Sequence, residues 1–244
     1  EQLSTLLEKE KLLKKIGIDI LIALPFDSYL ADLSATDFAK TILIQKLNTK
    51  HLVFGYDNHF GRNREGSIDF INTNFKYINT YKILETVVEN EIVSSTLVKS
   101  FVQKGQIEQA NGLLNYIYSL TGIIVKGDQL GRTIGFPTAN LELKGDKLIP
   151  AQGVYLTKSK LKDRMIYGMT NIGIRPTVSQ SNKLRIEAHL FNFNEEIYGE
   201  ELEVHFLAKM RDEIKFNSFA DLINQLNKDK IDATNRLAQI HITT

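Results

Sequence analysis

The chain is 244 residues long, between one and two ordinary domains, and 43% of it is hydrophobic against 24% charged. That balance supplies a sizeable core and excludes a disordered protein. Thirty Lys and Arg against 29 Asp and Glu leave a net charge of +1, which speaks against a protein that grips nucleic acid or an anionic membrane through bulk charge, and the absence of cysteine excludes disulfides, thiolate metal sites and cysteine nucleophiles.

The first half alternates helices with short apolar runs. An opening helical pattern (Leu3, Leu6, Leu7, Leu12, Leu13, Ile16) starts at once behind Glu1, so no targeting segment is readable, and it stops at Gly17, a natural helix-ending residue. Ile18–Leu24 then reads as a buried parallel strand, although it is far too short to span a bilayer. Ser34 caps a second helix with Phe38, Ile42 and Leu43 on its apolar face, and His51–Phe54 is a second strand. A helix over Ser67–Tyr77 and a strand over Ile83–Val88 repeat the cycle, the pattern of a doubly wound α/β sheet. Helices over Ser95–Lys104, closed by Gly105, and Gln106–Leu114 complete this half.

Near Tyr116 the texture changes. Six of the fifteen glycines lie between Gly122 and Gly153, and three of the four prolines lie beyond residue 130. Short runs at Leu120–Val125, Val154–Leu161, Met165–Ile172, Leu184–Phe191 and Leu202–Leu207 suggest an antiparallel barrel. A last amphipathic helix, Phe219–Ile240, places Leu222, Ile223, Leu226 and Ile231 to cover one end of it. The reading is two domains, 1–116 and 117–244.

Four stretches can carry chemistry. In the first, Gly127, Gly131 and Gly135 let backbone N–H groups approach an anion, and Lys126 and Arg132 add charge. Thr138 and Asn140 share a face of an extended chain, and their oxygens suit Mg²⁺ bridged to phosphates. Taken alone, the stretch is equally a glycine-rich hairpin. In the second, alternation sends Ile186, Ala188 and Leu190 one way and Arg185, Glu187 and His189 the other. Glu187 can take a proton from a hydroxyl, though a solvated polar face is the commoner meaning of such a strand, and His189 reads as structural or exposed. The third, Phe54–Gly66, follows a strand, where ligands sit in doubly wound sheets. The fourth, Val93–Lys99, sets hydroxyls at a helix N-terminus with a cation one turn in, as in phosphate sites and in plain caps. The five histidines (51, 59, 189, 205 and 241) have no zinc-ligand spacing.

Together these segments resemble the bacterial bifunctional riboflavin kinase/FMN adenylyltransferases, the FAD synthetase family. The resemblance runs in order through Gly135-Phe136-Pro137-Thr138-Ala139-Asn140, Pro150–Tyr155, Asn171–Thr177, Tyr198-Gly199 and Arg211–Phe216. It implies a Rossmann-like nucleotidyltransferase domain followed by a β-barrel riboflavin kinase domain with a C-terminal helix. In the kinase the ribityl 5′-hydroxyl of riboflavin attacks the γ-phosphate of ATP, giving FMN. Gly127, Gly131, Arg132, Gly135 and Phe136 then fall in the ligand-binding set, Thr138 and Asn140 match the family's Mg²⁺–nucleotide residues, Glu187 its base, and Arg211 a residue of its flavin-binding flap.

In the first half, Gly55, Asp57 and Phe60 match a Gly-x-Asp-x-x-Phe-Gly segment, and Ser94, Ser95 and Thr96 match Ile-Ser-Ser-Thr-x-x-Arg, with Lys99 in place of the arginine. There the resemblance implies that the FMN phosphate attacks the α-phosphate of ATP, giving FAD and releasing pyrophosphate. The family's His-x-Gly-His segment does not occur in these 244 residues. If Glu1 is the true start, the expectation is a working kinase beside an inactive adenylyltransferase; otherwise the chain is part of a longer bifunctional enzyme. A kinase-only enzyme and a non-catalytic flavin or nucleotide binder are the alternatives. The expected partners are ATP, riboflavin and FMN, with no nucleic acid or membrane, in a cytoplasmic monomer or weak homo-oligomer.

Overall fold

The computed structural model describes residues 1–88, 90–174 and 184–242. Arg175, Pro176 and Thr177 of the sequence motif lie outside the described residues. The chain forms two compact units, Glu10–Val93 and, discontinuously, Glu1–Lys9 with Ser94–Thr244.

The Glu10–Val93 unit is built from local signals. Ser34 caps α3 (Ala35–Phe38) by accepting from the Asp37 N–H, and the helix continues as a π-type turn over Ala39–Lys46. A short α2 (Ser28–Asp32), capped by Asp27, precedes it and carries no sequence pattern strong enough to expect. Strand β1 (His51–Phe54) pairs in parallel with β2 (Asn79–Lys82), and α4 (Ile68–Asn74) packs between them in sequence, capped by Ser67. Ala39, Leu43, Phe54, Ile71, Phe75 and Ile78 form the core. The strands β3 (Val87–Val88) and β4 (Glu91–Ile92) make a small hairpin.

Two expectations fail here. Ile18–Leu24 forms no strand, and its side chains are exposed, Ile20 at 76%. An apolar run becomes a buried strand only when neighbours cover it, and among the described residues β1 pairs with β2 alone. The strand expected at Ile83–Val88 does not form over that span: the polar Asn79–Lys82 carries the pairing as β2 and ends just before it, and only Val87 and Val88 are in a strand, β3.

In the larger unit, α5 (Ser95–Lys104) begins at a Ser94 cap and ends at Gly105 in the left-handed region, and α6 (Ile107–Leu114) follows. Val98, Val102, Ile107 and Ala110 from these helices join the barrel core. The barrel closes in the order β10-β5-β6-β9-β8-β7, where β5 is Ser119–Val125, β6 Ala139–Leu143, β7 Gly153–Leu161, β8 Arg164–Ile174, β9 Leu184–Leu190 and β10 Glu201–Arg211. All six pairings are antiparallel, so no strand edge is left open. Alternation fills the interior with Leu120, Ile124, Leu141, Ile172, Ile186, Ala188 and Phe206.

The last helix, α8 (Phe219–Ile242), packs on the outer face of β8 rather than across an end of the barrel. Its buried stripe is Leu226, Asp229, Ala233 and Leu237, which meets Val154, Leu156 and Met169, while Ile231 points to solvent. The helix follows the larger apolar surface: the outward residues of β7 and β8 offer a second apolar layer, so the wall needs the cover.

The first residues are tied to the same unit. Thr5 and Glu8 exchange the two hydrogen bonds of a capping box at the start of α1 (Leu6–Lys15). Gln2 bridges in parallel to Lys147, and the Lys147 ammonium, 2.6 Å from the Glu8 carboxylate, lies over the Tyr118 ring.

Candidate active site

The outward face of β9 alternates Arg185, Glu187 and His189, while Ile186, Ala188 and Leu190 enter the core. Antiparallel register sets Asn140 of β6 and Asn171 of β8 directly beside Glu187 on either side. Two residues further on each way, Met169 partners His189 and Gly173 partners Arg185. All of these line one cleft of about 390 Å³ outside the barrel. Its rim is the glycine loop from Asp128 to Phe136 on one side and Arg211–Leu226 on the other.

The glycine loop is held at two points. Arg185 donates to Asp128 at 2.8 Å, a half-exposed pair worth under about 1 kcal/mol that nonetheless fixes register. The short helix α7 (Leu130–Thr133) turns back so that the Phe136 N–H donates to the Gly131 carbonyl. A side chain at Gly127 would strike the Asn140 carboxamide, and one at Gly131 would strike the Phe136 carbonyl. The loop therefore needs glycine for close approach, and Gly135 also adopts a φ of +81°.

His189 is nine-tenths buried between Phe136 and Phe191. Burial pushes its pKa below the ordinary imidazole value, against a hydrogen bond to the Pro137 carbonyl at 2.9 Å that pulls the other way, and Lys230 adds to the lowering. The ring is thus neutral at pH 7, with Nδ1 as the donor to Pro137 and Nε2 buried without a partner among the described residues.

The structure brings together, on this cleft, Gly131, Phe136, Thr138, Asn140, Glu187 and Arg211. Gly127 stands against Asn140 just outside it. Arg132 instead lines a smaller recess of about 60 Å³ with Pro137, Tyr198 and Glu195, and Thr138 borders both spaces. Asn171, Gly173, His189 and Glu213 also line the cleft; Asn171, Gly173 and Glu213 fall in the motif runs Asn171–Thr177 and Arg211–Phe216, but the register of Asn171 beside Glu187 needs the fold.

The other candidates lie apart in the chain. Gly55 follows β1, Asp57 pairs with Arg64 at 3.0 Å, and Phe60 packs its ring among Phe38, Phe54 and Phe70. Ser94 accepts from the Leu97 N–H as the α5 cap, Ser95 and Thr96 are exposed in its first turn, and Lys99 follows one turn in. Among the described residues no three His, Cys, Asp or Glu side chains gather as a metal cluster, and no helix is long and apolar enough to cross a membrane.

Comparison with known proteins adds identity to this geometry. The riboflavin kinase family model matches residues 114–237, which contain the whole barrel and cleft, and the FAD synthetase model matches residues 1–97. The bifunctional riboflavin kinase/FMN adenylyltransferase of Listeria monocytogenes is 36% identical over 235 residues, 94% of this chain and 73% of that protein. The one from Buchnera aphidicola subsp. Schizaphis graminum is 38% identical over 238 residues, covering 94% and 75%. A crystal structure titled macrolide-efflux protein, from Streptococcus pneumoniae, superposes with a TM-score of 0.89 at 32% identity, over 96% of this chain and 75% of that one. Its title names another activity, but both family models and the curated relatives agree on flavin enzymes. The chain belongs to the bifunctional riboflavin kinase/FMN adenylyltransferase family, the transferases of FMN and FAD biosynthesis.

Proposed function

We propose that the cleft on the outer face of β6, β9 and β8 is where riboflavin is phosphorylated. The observation that carries this is the row Asn140–Glu187–Asn171, one carboxylate flanked across the sheet by two carboxamides and opening on Thr138. Phosphoryl transfer asks for little covalent chemistry from a protein: positioning, charge compensation and one group to accept a proton. Glu187 takes the proton of the ribityl 5′-hydroxyl as the new O–P bond forms; the bond between the γ-phosphorus and the bridging oxygen breaks, and ADP leaves. Val154, Met169, Ile214 and Phe216 give the cleft apolar walls suited to a flavin ring. ATP is taken to approach from the side of the neighbouring recess, whose roughly 60 Å³ suits a phosphate group rather than the whole nucleotide, because Thr138 borders both spaces and a transferred phosphate must pass between them.

Mg²⁺ fits the donor set. Thr138 and Asn140 offer neutral oxygens, and the Asn140 carboxamide takes its place only because Gly127 has no side chain to strike it. A metal held by so few protein ligands takes its remaining ones from water and phosphates, which is the habit of Mg²⁺. When bound, it would neutralise charge on the transferring phosphoryl group.

The adenylyl transfer that turns FMN into FAD is assigned to the residues preceding the barrel, with Gly55, Asp57, Phe60, Ser94, Ser95, Thr96 and Lys99 as its candidate contacts. Lys99 supplies charge without the planar fork of an arginine, so its phosphate contact is monodentate. The functional division is placed at residue 116, with both activities in a cytoplasmic monomer or weak homo-oligomer that acts on small molecules.

The test is Glu187→Gln, assayed by chromatographic detection of FMN from riboflavin and Mg-ATP. Turnover is expected to fall roughly 10²–10⁴-fold. Near-normal turnover removes Glu187 from the role of base, and flavin binding without any turnover by the unaltered chain leaves only a binder.

A further inference from the structure

Arg211 ends β10, and its guanidinium lines the cleft while being held from behind. Nε donates to both oxygens of Asp229 at 3.0 Å, and Nη2 donates to Oδ2 at 2.7 Å. Nη1 donates to the Asp212 carbonyl at 2.9 Å. Asp229 sits on α8, only 4% exposed, and does not line the cleft. Gln225, one turn earlier, donates to Oδ1 at 2.8 Å. A buried carboxylate is tolerated only when paired and hydrogen-bonded, and this one has no partner other than Arg211 and Gln225 among the described residues.

We propose that Asp229 is a positioning residue for flavin binding: it fixes Arg211 so that the unused edge of the guanidinium serves the cleft, and it closes residues 211–229 into one wall. An arginine has five N–H donors in a rigid fork. Asp229 takes two and the Asp212 carbonyl a third, which leaves two for a ligand in the cleft that Arg211 lines. The wall matters as much as the fork. Glu213, Ile214, Phe216, Phe219, Leu222 and Leu226 all line the cleft, and all lie between the two ends of the Arg211–Asp229 link. Thr138 and Asn140 lie outside that link, on β6 and the turn before it. Loosening the link therefore acts on the flavin side of the reaction and spares the nucleotide side.

This inference rests on reading the cleft as the riboflavin site, and the experiment separates the two. Steady-state kinetics of the full chain is measured with riboflavin and Mg-ATP varied in turn, for the unaltered protein, Asp229→Asn and Gln225→Ala. Failure of the unaltered protein to make FMN overturns the reading of the cleft itself. With FMN formed, Asp229→Asn is expected to raise KM for riboflavin about tenfold, as for loss of a charge-assisted pair, and KM for ATP less than twofold. Gln225→Ala, which leaves the ion pair in place, is expected to do the same to a smaller degree. Because Asp229→Asn removes a buried charge and can fail to fold, the Gln225→Ala result stands as an independent arm. An unchanged KM for riboflavin in Asp229→Asn, or in Gln225→Ala where Asp229→Asn does not fold, overturns the proposal. So does an equal rise in both KM values, or a loss confined to kcat.

Discussion

Glu187 and His189 are two residues apart on β9, face the same cleft, and differ in what surrounds them. Glu187 stands between two carboxamides, whereas His189 is wedged between rings with its Nδ1 on the Pro137 carbonyl. Because burial lowers the His189 pKa in the folded protein, the unfolded chain takes up a proton first as pH falls. Stability is therefore complete above about pH 6.5 and declines as pH drops through the lowered folded value, by about 1.4 kcal/mol for each unit between the two. His189→Asn keeps a donor for Pro137 without the titration, so its urea midpoint is expected to change less between pH 7 and pH 5 than that of the unaltered protein. An equal change in both would place the acid sensitivity elsewhere. His189 was legible as an outward residue but not as a buried one, since its burial comes from Phe136, more than fifty positions away.

At the level of elements, the glycine loop is the part whose shape depends most on missing atoms. Gly131→Ala brings a methyl group into the Phe136 carbonyl, so the turn that presents Thr138 must open. Turnover is expected to fall by about 10²-fold, as for an ångström-scale misplacement of a positioning group. The melting temperature is expected to stay nearly constant, since the loop is largely exposed; a matching loss of stability would show a structural cause instead. Elements written in local chemistry were legible: Ser34 and Ser94 do cap helices, Gly105 does end one, and period-2 runs do form the barrel. Elements decided by distant neighbours were not. Ile18–Leu24 has the composition of a buried strand and lies exposed. Asp229 sits in a run of charges, Lys228, Asp229, Lys230 and Asp232, that reads as a solvated face until α8 turns it toward Arg211.

For the whole molecule, the lasting surprise is the N-terminal segment. Residues 1–9 fall within the stretch that the FAD synthetase model matches, residues 1–97, but pack with the kinase barrel. Burial lowers the Lys147 pKa, while the Glu8 carboxylate, in a hydrogen bond and by its charge, and the Glu203 charge raise it, with Glu8 the carboxylate that pairs with the ammonium directly. Glu8→Gln preserves the capping box yet leaves Lys147 buried and unpaired. A loss on the order of 3 kcal/mol is expected in chemical denaturation, recovered in large part by adding Lys147→Met. No recovery in the double variant would mean that the segment is held by Leu3 and the Gln2 bridge rather than by charge.

That ion pair joins positions 139 apart in sequence. A ribosome adding roughly 5–20 residues each second releases Glu8 many seconds before Lys147. Through that interval the segment around Glu8 has no barrel to close upon, and the barrel in turn is finished by residues synthesised well before it. That part of its assembly is therefore a long-range docking rather than the completion of a local hairpin, which ties the folding of the kinase barrel to a segment of the half matched to FAD synthetase.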